Sequence, residues 1–162
     1  MDNYKHIEAE IAKKHGAVAD ATRKAIGDFI LDECHPVNVK SNNIAKQNYS
    51  PNIISAWRLL TWLKVDAHKL SFIFVDYEIE VTGRVRILED TGLVPIENLS
   101  WECLTIQAQG RGVIQRCKPL KLVPLQSKET FLRGLGDAYR EYITRERTKL
   151  ARVENLLKEL GL

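Results

Sequence analysis

Apolar residues recur at helical spacing near the start of the chain. Ile7 and Ile11 begin a stripe that Val18, Thr22, Ala25 and Phe29 continue, with Ile26 and Ile30 beside them, and this predicts helix from about Tyr4 to Glu33. Lys13-Lys14-His15 before Gly16 is a helix-stop pattern, so the stretch reads as one helix or as two in succession. Pro36 closes it, and Val37 to Lys40 reads as a short extended connector. Between Ser41 and Val65 the pattern predicts a short helix, a break at Tyr49-Ser50-Pro51, and a stronger second helix. Ser50 is placed to cap it, Pro51 to open it, and Ile53, Ile54, Trp57, Leu59, Leu60, Trp62 and Leu63 to fill its apolar face.

The period then changes from helical to alternating. Ile73, Val75, Tyr77, Ile79, Val81, Gly83, Val85 and Ile87 alternate with Phe74, Asp76, Glu78, Glu80, Thr82, Arg84 and Arg86. An unbroken strand of that length would run roughly 50 Å, far beyond the usual strand, so a bend or bulge is expected at Gly83. Glu89-Asp90-Thr91-Gly92 reads as a hairpin turn with Gly92 left-handed, and a short edge strand containing Pro95 follows. Trp101 to Ala108 and Val113 to Val123 form a second hairpin around Gln109-Gly110-Arg111-Gly112. With no helix-length crossover visible between these strands, the sheet is expected to be antiparallel.

Ser127 caps a last helix reaching to about Leu160. In it Ile143, Leu150 and Leu157 recur every seven residues, Val153 and Leu160 interleave with them, and Glu146 interrupts the second series. The expected fold is α+β: an antiparallel sheet of about four strands, one of them long and bent, covered by N-terminal helices and a long C-terminal helix. It is read as a single domain, with a helical part at 1–66, the sheet at 70–124 and the long helix at 127–161.

Composition narrows the class. The chain has 162 residues, 44% hydrophobic and 28% charged, enough for a core without disulfide or metal staples. No apolar run approaches the ~20 residues needed to span a bilayer, and the N-terminus lacks a signal-peptide core. Three cysteines without a secretory signal read as reduced thiols, and a cytoplasmic location with no membrane partner is expected. The net charge of +3 is compatible with nucleic acid, but residues 66–99 carry −4 and residues 100–126 carry +3, so no uniformly basic face is indicated.

Asp76, Glu78 and Glu80 place three carboxylates on one strand face, a row able to bind a divalent cation or to pair an acid with a base. The competing reading is a solvated or salt-bridged outer face. Cys34-His35, Cys103, Cys117, His6, His15 and His68 show no metal-ligand spacing, so no metal or other cofactor is expected. Cys103 and Cys117 flank the second hairpin almost symmetrically, and read as two small buried thiols. Gly134-Leu135-Gly136 lies inside the predicted last helix, where it marks close helix packing or a flexible first turn rather than a phosphate loop. Trp57 and Trp62 read as core, with base stacking as the alternative.

The stretch from Ser41 to Arg58, with Ile44-Ala45-Lys46, then Ser50-Pro51, then Ile54 and Trp57 as anchors, resembles the helix-turn-helix of bacterial DNA-binding proteins, although Tyr49 stands where that turn commonly has Gly. The resemblance implies Asn52 and Ser55 at base edges, and Arg58 and Lys46 at phosphates. The first reading of function is a non-enzymatic binding or assembly module that self-associates as a homo-oligomer through Ile143, Leu150, Val153, Leu157 and Leu160. The alternatives are a nucleic-acid-binding protein using the 41–65 unit, and a small-ligand carrier or enzyme using the sheet face.

Overall fold

The computed structural model describes residues 3–17, 19–20, 26–46, 52–124 and 126–162. Helix α1 (Asn3–Lys14) ends where the stop pattern predicts, with Gly16 at φ 73°. The helix expected beyond it is absent from the described residues. Instead come β1 (Ala19–Asp20), β2 (Phe29–Asp32) and β3 (His35–Asn43), a nine-residue strand where a connector was expected. Ile26, Phe29 and Ile30 are compatible with either period, and pairing with β3 decides for strand.

The helix-turn-helix expectation is corrected in the same way. Ser41 to Asn43 finish β3, and Asn52 to Ser55 form strand β4. The following helix α2 (Ala56–Leu63) is capped by Ser55, which accepts from the Arg58 N–H, while Ser50 and Pro51 lie outside the described residues.

The long alternating run is two strands rather than one bent one. Strand β5 (Ser71–Ile79) turns back at Glu80–Gly83, with Gly83 at φ 83°, into β6 (Val85–Asp90). After Gly92, also left-handed, β7 (Val94–Pro95) returns to pair with the start of β5. The second hairpin is β8 (Leu104–Gln107) and β9 (Val113–Arg116), and β4 adds to its edge. Helix α3 (Lys128–Glu159) begins at the Ser127 cap.

The main sheet runs β1-β2-β3-β5-β6, with β7 beside β5, and β4-β9-β8 form a smaller second sheet. The fold is α+β, but the main sheet is mixed: β3 and β5 are parallel, from Val37 opposite Ser71 to Asn43 opposite Tyr77. Two parallel neighbours need a crossover connection, which α2 supplies.

Side-chain alternation gives the main sheet two different faces. Val37, Val39, Ile73, Val75 and Tyr77 point to one side, where Ile7 and Ile11 of α1 close over them together with Phe29. Phe72 and Phe74 point to the other, into a core built with Leu59 and Leu63 of α2, Ile106 and Ile114 of the second sheet, and Phe131 and Leu135 of α3. Gly134 is the close-packing point in α3: a Cβ there would fall 2.3 Å from the Trp101 ring, whose N–H donates to the Phe131 carbonyl at 3.2 Å. Among the described residues, no helix is long and apolar enough to cross a membrane.

Candidate functional site

The most unusual polar grouping lies where β2 begins. Gly27 sits so close to β3 that a Cβ would meet the Val37 carbonyl oxygen at 2.7 Å, so glycine permits this approach. The Asp28 N–H donates to the Val37 carbonyl at 2.7 Å, and its carboxylate accepts from the Val39 N–H at 2.6 Å. The Asn38 amide donates to the Ile26 carbonyl at 3.3 Å. Ile26–Asp28 is thus laced to Val37–Val39 just short of the first strand pair, Phe29 with Val37.

Asn38 and Lys40 stand two apart on β3, alternating with the buried Val37 and Val39. Both are half-buried, as is Asp28. Burial holds the Asp28 carboxyl above its ordinary range, although the Val39 N–H and the charge of Lys40 pull it back. Burial likewise pushes the Lys40 ammonium down, opposed by the charges of Asp28 and of Glu8 on α1. The side-chain oxygen of Asn38 is buried without a hydrogen-bond partner among the described residues. A buried acceptor without a partner costs stability, as does desolvation of the Asp28 carboxylate and the Lys40 ammonium, and such unmet bonding is expected where a ligand completes the set.

The donor chemistry fits a hard divalent cation. A carboxylate and an amide oxygen are hard oxygen donors, suited to Mg²⁺. Among the described residues no three His, Cys, Asp or Glu side chains converge on a metal site. An ion held by Asp28 and the Asn38 oxygen would keep several waters and take its remaining ligands from another molecule. Lys40, whose ammonium burial pushes down, carries a charge able to neutralise an oxyanion.

The residues expected from sequence are scattered by comparison. Lys46 is exposed in the turn after β3. Asn52 is exposed on β4, its amide shared between Gln109 and Gln115 at 3.2 and 3.3 Å. Ser55 is engaged as the cap of α2. Arg58 is exposed on α2 and lines a pocket of about 300 Å³ with Ile26, Ile30, Trp57 and Trp62, so it borders the Ile26–Asp28 notch. Trp57, expected in the core, is 47% exposed under the Arg111 guanidinium at 4.6 Å, while Trp62 is half-buried and stacks on His68. Ile143, Leu150, Val153 and Leu157 are exposed on α3, and Leu160 is exposed at its C-cap.

Of the carboxylate row, Asp76 accepts from the Asn42 amide at 3.1 Å and Glu78 pairs with Arg86 at 3.5 Å across the β5–β6 hairpin. Cys103 is buried, Cys117 is exposed, and both are free thiols, their backbones bonded at 2.9 Å. The signal for the missed site was nonetheless present in the sequence. Val37-Asn38-Val39-Lys40 alternates apolar and polar residues as a half-buried strand does, and Gly27-Asp28 precedes an apolar run.

The fold and the notch define an α+β protein whose mixed sheet presents a carboxylate, an amide and an ammonium at the open edge of a strand pair. Among solved structures the chain is similar to the NlaIV restriction endonuclease, at a TM-score of 0.56 and 15% identity over 98% of this chain and 74% of that one. At that identity the likeness shows the fold. No sequence-family model matches the chain, and no curated protein matches it.

Proposed function

We propose that the protein is a nucleic-acid phosphodiesterase that hydrolyses its substrate with a divalent cation at Asp28 and Asn38. The observation that carries this reading is the orphaned, buried Asn38 oxygen on β3, the strand that also carries Lys40 and whose Val39 N–H bonds the Asp28 carboxylate. Asp28 and the Asn38 oxygen would hold the cation, which when bound polarises a phosphate and lowers the pKa of a bound water. Lys40 sits two residues along the same face and neutralises charge on the scissile phosphate. The negative charge of Glu8 favours the protonated form of Lys40. Arg58, on the rim of the neighbouring pocket, is the first choice for a phosphate contact, and Lys46, Asn52 and Ser55 remain candidates for further contacts. The fold neighbour is by its name an endonuclease, which supports nucleic acid over other phosphodiesters as the substrate.

The test is conversion of supercoiled duplex DNA to nicked and linear forms with Mg²⁺, with RNA in parallel. Cleavage that chelation abolishes and Asp28→Ala removes is the expected result. Folded protein that binds nucleic acid but cuts none with Mg²⁺ or Mn²⁺ would overturn the enzymatic reading and leave a binding protein. Protein that does neither would return the assembly module to the lead.

A further inference from the structure

The second half of α3 carries a separate feature, independent of the Asp28 notch. Contacts with the body end near Tyr142, which is buried, and Arg145, whose guanidinium donates to the Ile106 carbonyl at 2.8 Å. From Arg147 onward every residue is exposed. The helix continues free to a built-in stop, where Gly161 takes φ 71° and the Leu162 N–H returns to the Leu157 carbonyl at 2.9 Å. Yet this free rod is not polar all round. Leu150 is 62% exposed, Leu160 is 64% exposed, and Ile143, Val153, Leu156 and Leu157 are similarly bare.

Together these six side chains offer on the order of 600 Å² of apolar surface, the upper end of what a monomer leaves uncovered. At the root of the rod the stripe runs into an apolar depression of about 470 Å³ lined by Trp57, Leu60, Tyr139 and Ile143.

We propose that this face is covered by a second copy of the chain, the two α3 rods packing antiparallel around a twofold axis. In heptad terms Ile143, Leu150 and Leu157 occupy position a, and Glu146, Val153 and Leu160 occupy position d. A parallel pair would set Glu146 against Glu146 of the second copy inside the seam. The antiparallel pair sets Ile143 against Leu160, Leu150 against Val153, and Glu146 against Leu157, where its bond to Lys149 at 2.9 Å can persist at the rim.

Charge agrees with that choice. Arg147 and Glu154 fall at the flanking e positions, which face each other in antiparallel pairs, so each copy offers the other one attractive pair. Neither residue has an ion-pair partner in its own chain among the described residues. The same alignment brings Leu160 of one rod to the depression at the root of the other. Two copies would bury about 1,200 Å² in all, the lower end of a stable interface.

Sedimentation velocity of the full chain over a wide concentration range tests this. The wild type is expected to dimerise, and Leu150→Lys with Leu157→Lys to weaken the dimer by at least about 100-fold with unchanged circular dichroism. Arg147→Glu alone is expected to weaken it several-fold, and adding Glu154→Arg to restore it. A wild type that stays monomeric, or a dimer indifferent to the lysine substitutions, would overturn the proposal. A dimer that the lysines break but the charge swap does not rescue would overturn the antiparallel pairing.

Discussion

Two groups of charged residues lie on the main sheet, and they differ in how completely the protein satisfies them. Asp76 and Glu78 on β5 look more like a site in sequence, three carboxylates in a row with Glu80. The fold answers Asp76 with Asn42 and Glu78 with Arg86, in a half-exposed setting. Asp28, Asn38 and Lys40 are less conspicuous and come from β3 and the residue before β2, but burial strips water from them, and one buried oxygen is left without a partner. A row whose carboxylates are already bonded has less to gain from a ligand than a notch that leaves a buried oxygen unpartnered. Density of charge in a sequence is therefore a poorer guide to chemistry than unmet bonding in the fold.

The strongest way to break this comparison is activity. Asp28→Ala and Lys40→Ala are each expected to lower nucleic-acid cleavage by about 10³-fold or more, while Asp76→Asn with Glu78→Gln leaves it within a few-fold. Gel-based turnover of a supercoiled plasmid reads both, and equal losses in the two groups would erase the distinction. Asn38→Ala is expected to act more mildly, raising the Mg²⁺ concentration for half-maximal rate about 10- to 100-fold. A metal titration of the rate measures it, and an unchanged requirement would remove Asn38 from the cation's ligands.

Stability should move the opposite way from activity. Because burial raises the folded pKa of Asp28, the folded state binds more protons than the unfolded one between the ordinary carboxyl pKa and that raised value. Stability from this group is therefore lost as pH rises through the window. Asp28→Asn should stabilise the protein modestly at neutral pH and remove that slope, as denaturant melts across the acidic range would record.

Asp90 supplies the contrast in sign. Burial raises its pKa, but bonds from Lys14, the Gly92 N–H and His15 outweigh that and lower it, so its contribution is present above the ordinary carboxyl pKa and lost as pH falls through the folded value. Asp90→Asn should thus flatten the acid limb where Asp28→Asn flattens the limb above it. Smallest of all, Glu78→Gln or Arg86→Gln should change stability by no more than about 0.5 kcal/mol, because the pair is largely solvated. A larger loss in thermal melts would mean the row is more than a rim.

Some of the molecule was determined by sequence alone, because the signal was local. The Ser127 cap and seven-residue apolar repeat specify α3, the turn at Gln109–Gly112 joins β8 to β9, Gly16 ends α1, and Gly134-Leu135-Gly136 marks where α3 presses on Trp101. Each depends on backbone propensity or spacing within a few residues.

The path from Ile26 to Ser55 was decided only by tertiary structure. Ile26, Phe29 and Ile30 suit a helix as well as a strand, and β3 contains Pro36, Asn38 and Lys40, residues that seldom mark a central strand. What makes β3 a strand is α1 closing over Val37 and Val39 on one face and the parallel pairing with β5 along one edge. The candidate site inherits that dependence. Asp28 and Lys40 stand twelve positions apart in sequence, and only the antiparallel turn between β2 and β3 brings them together while burial withdraws the water that would otherwise satisfy them.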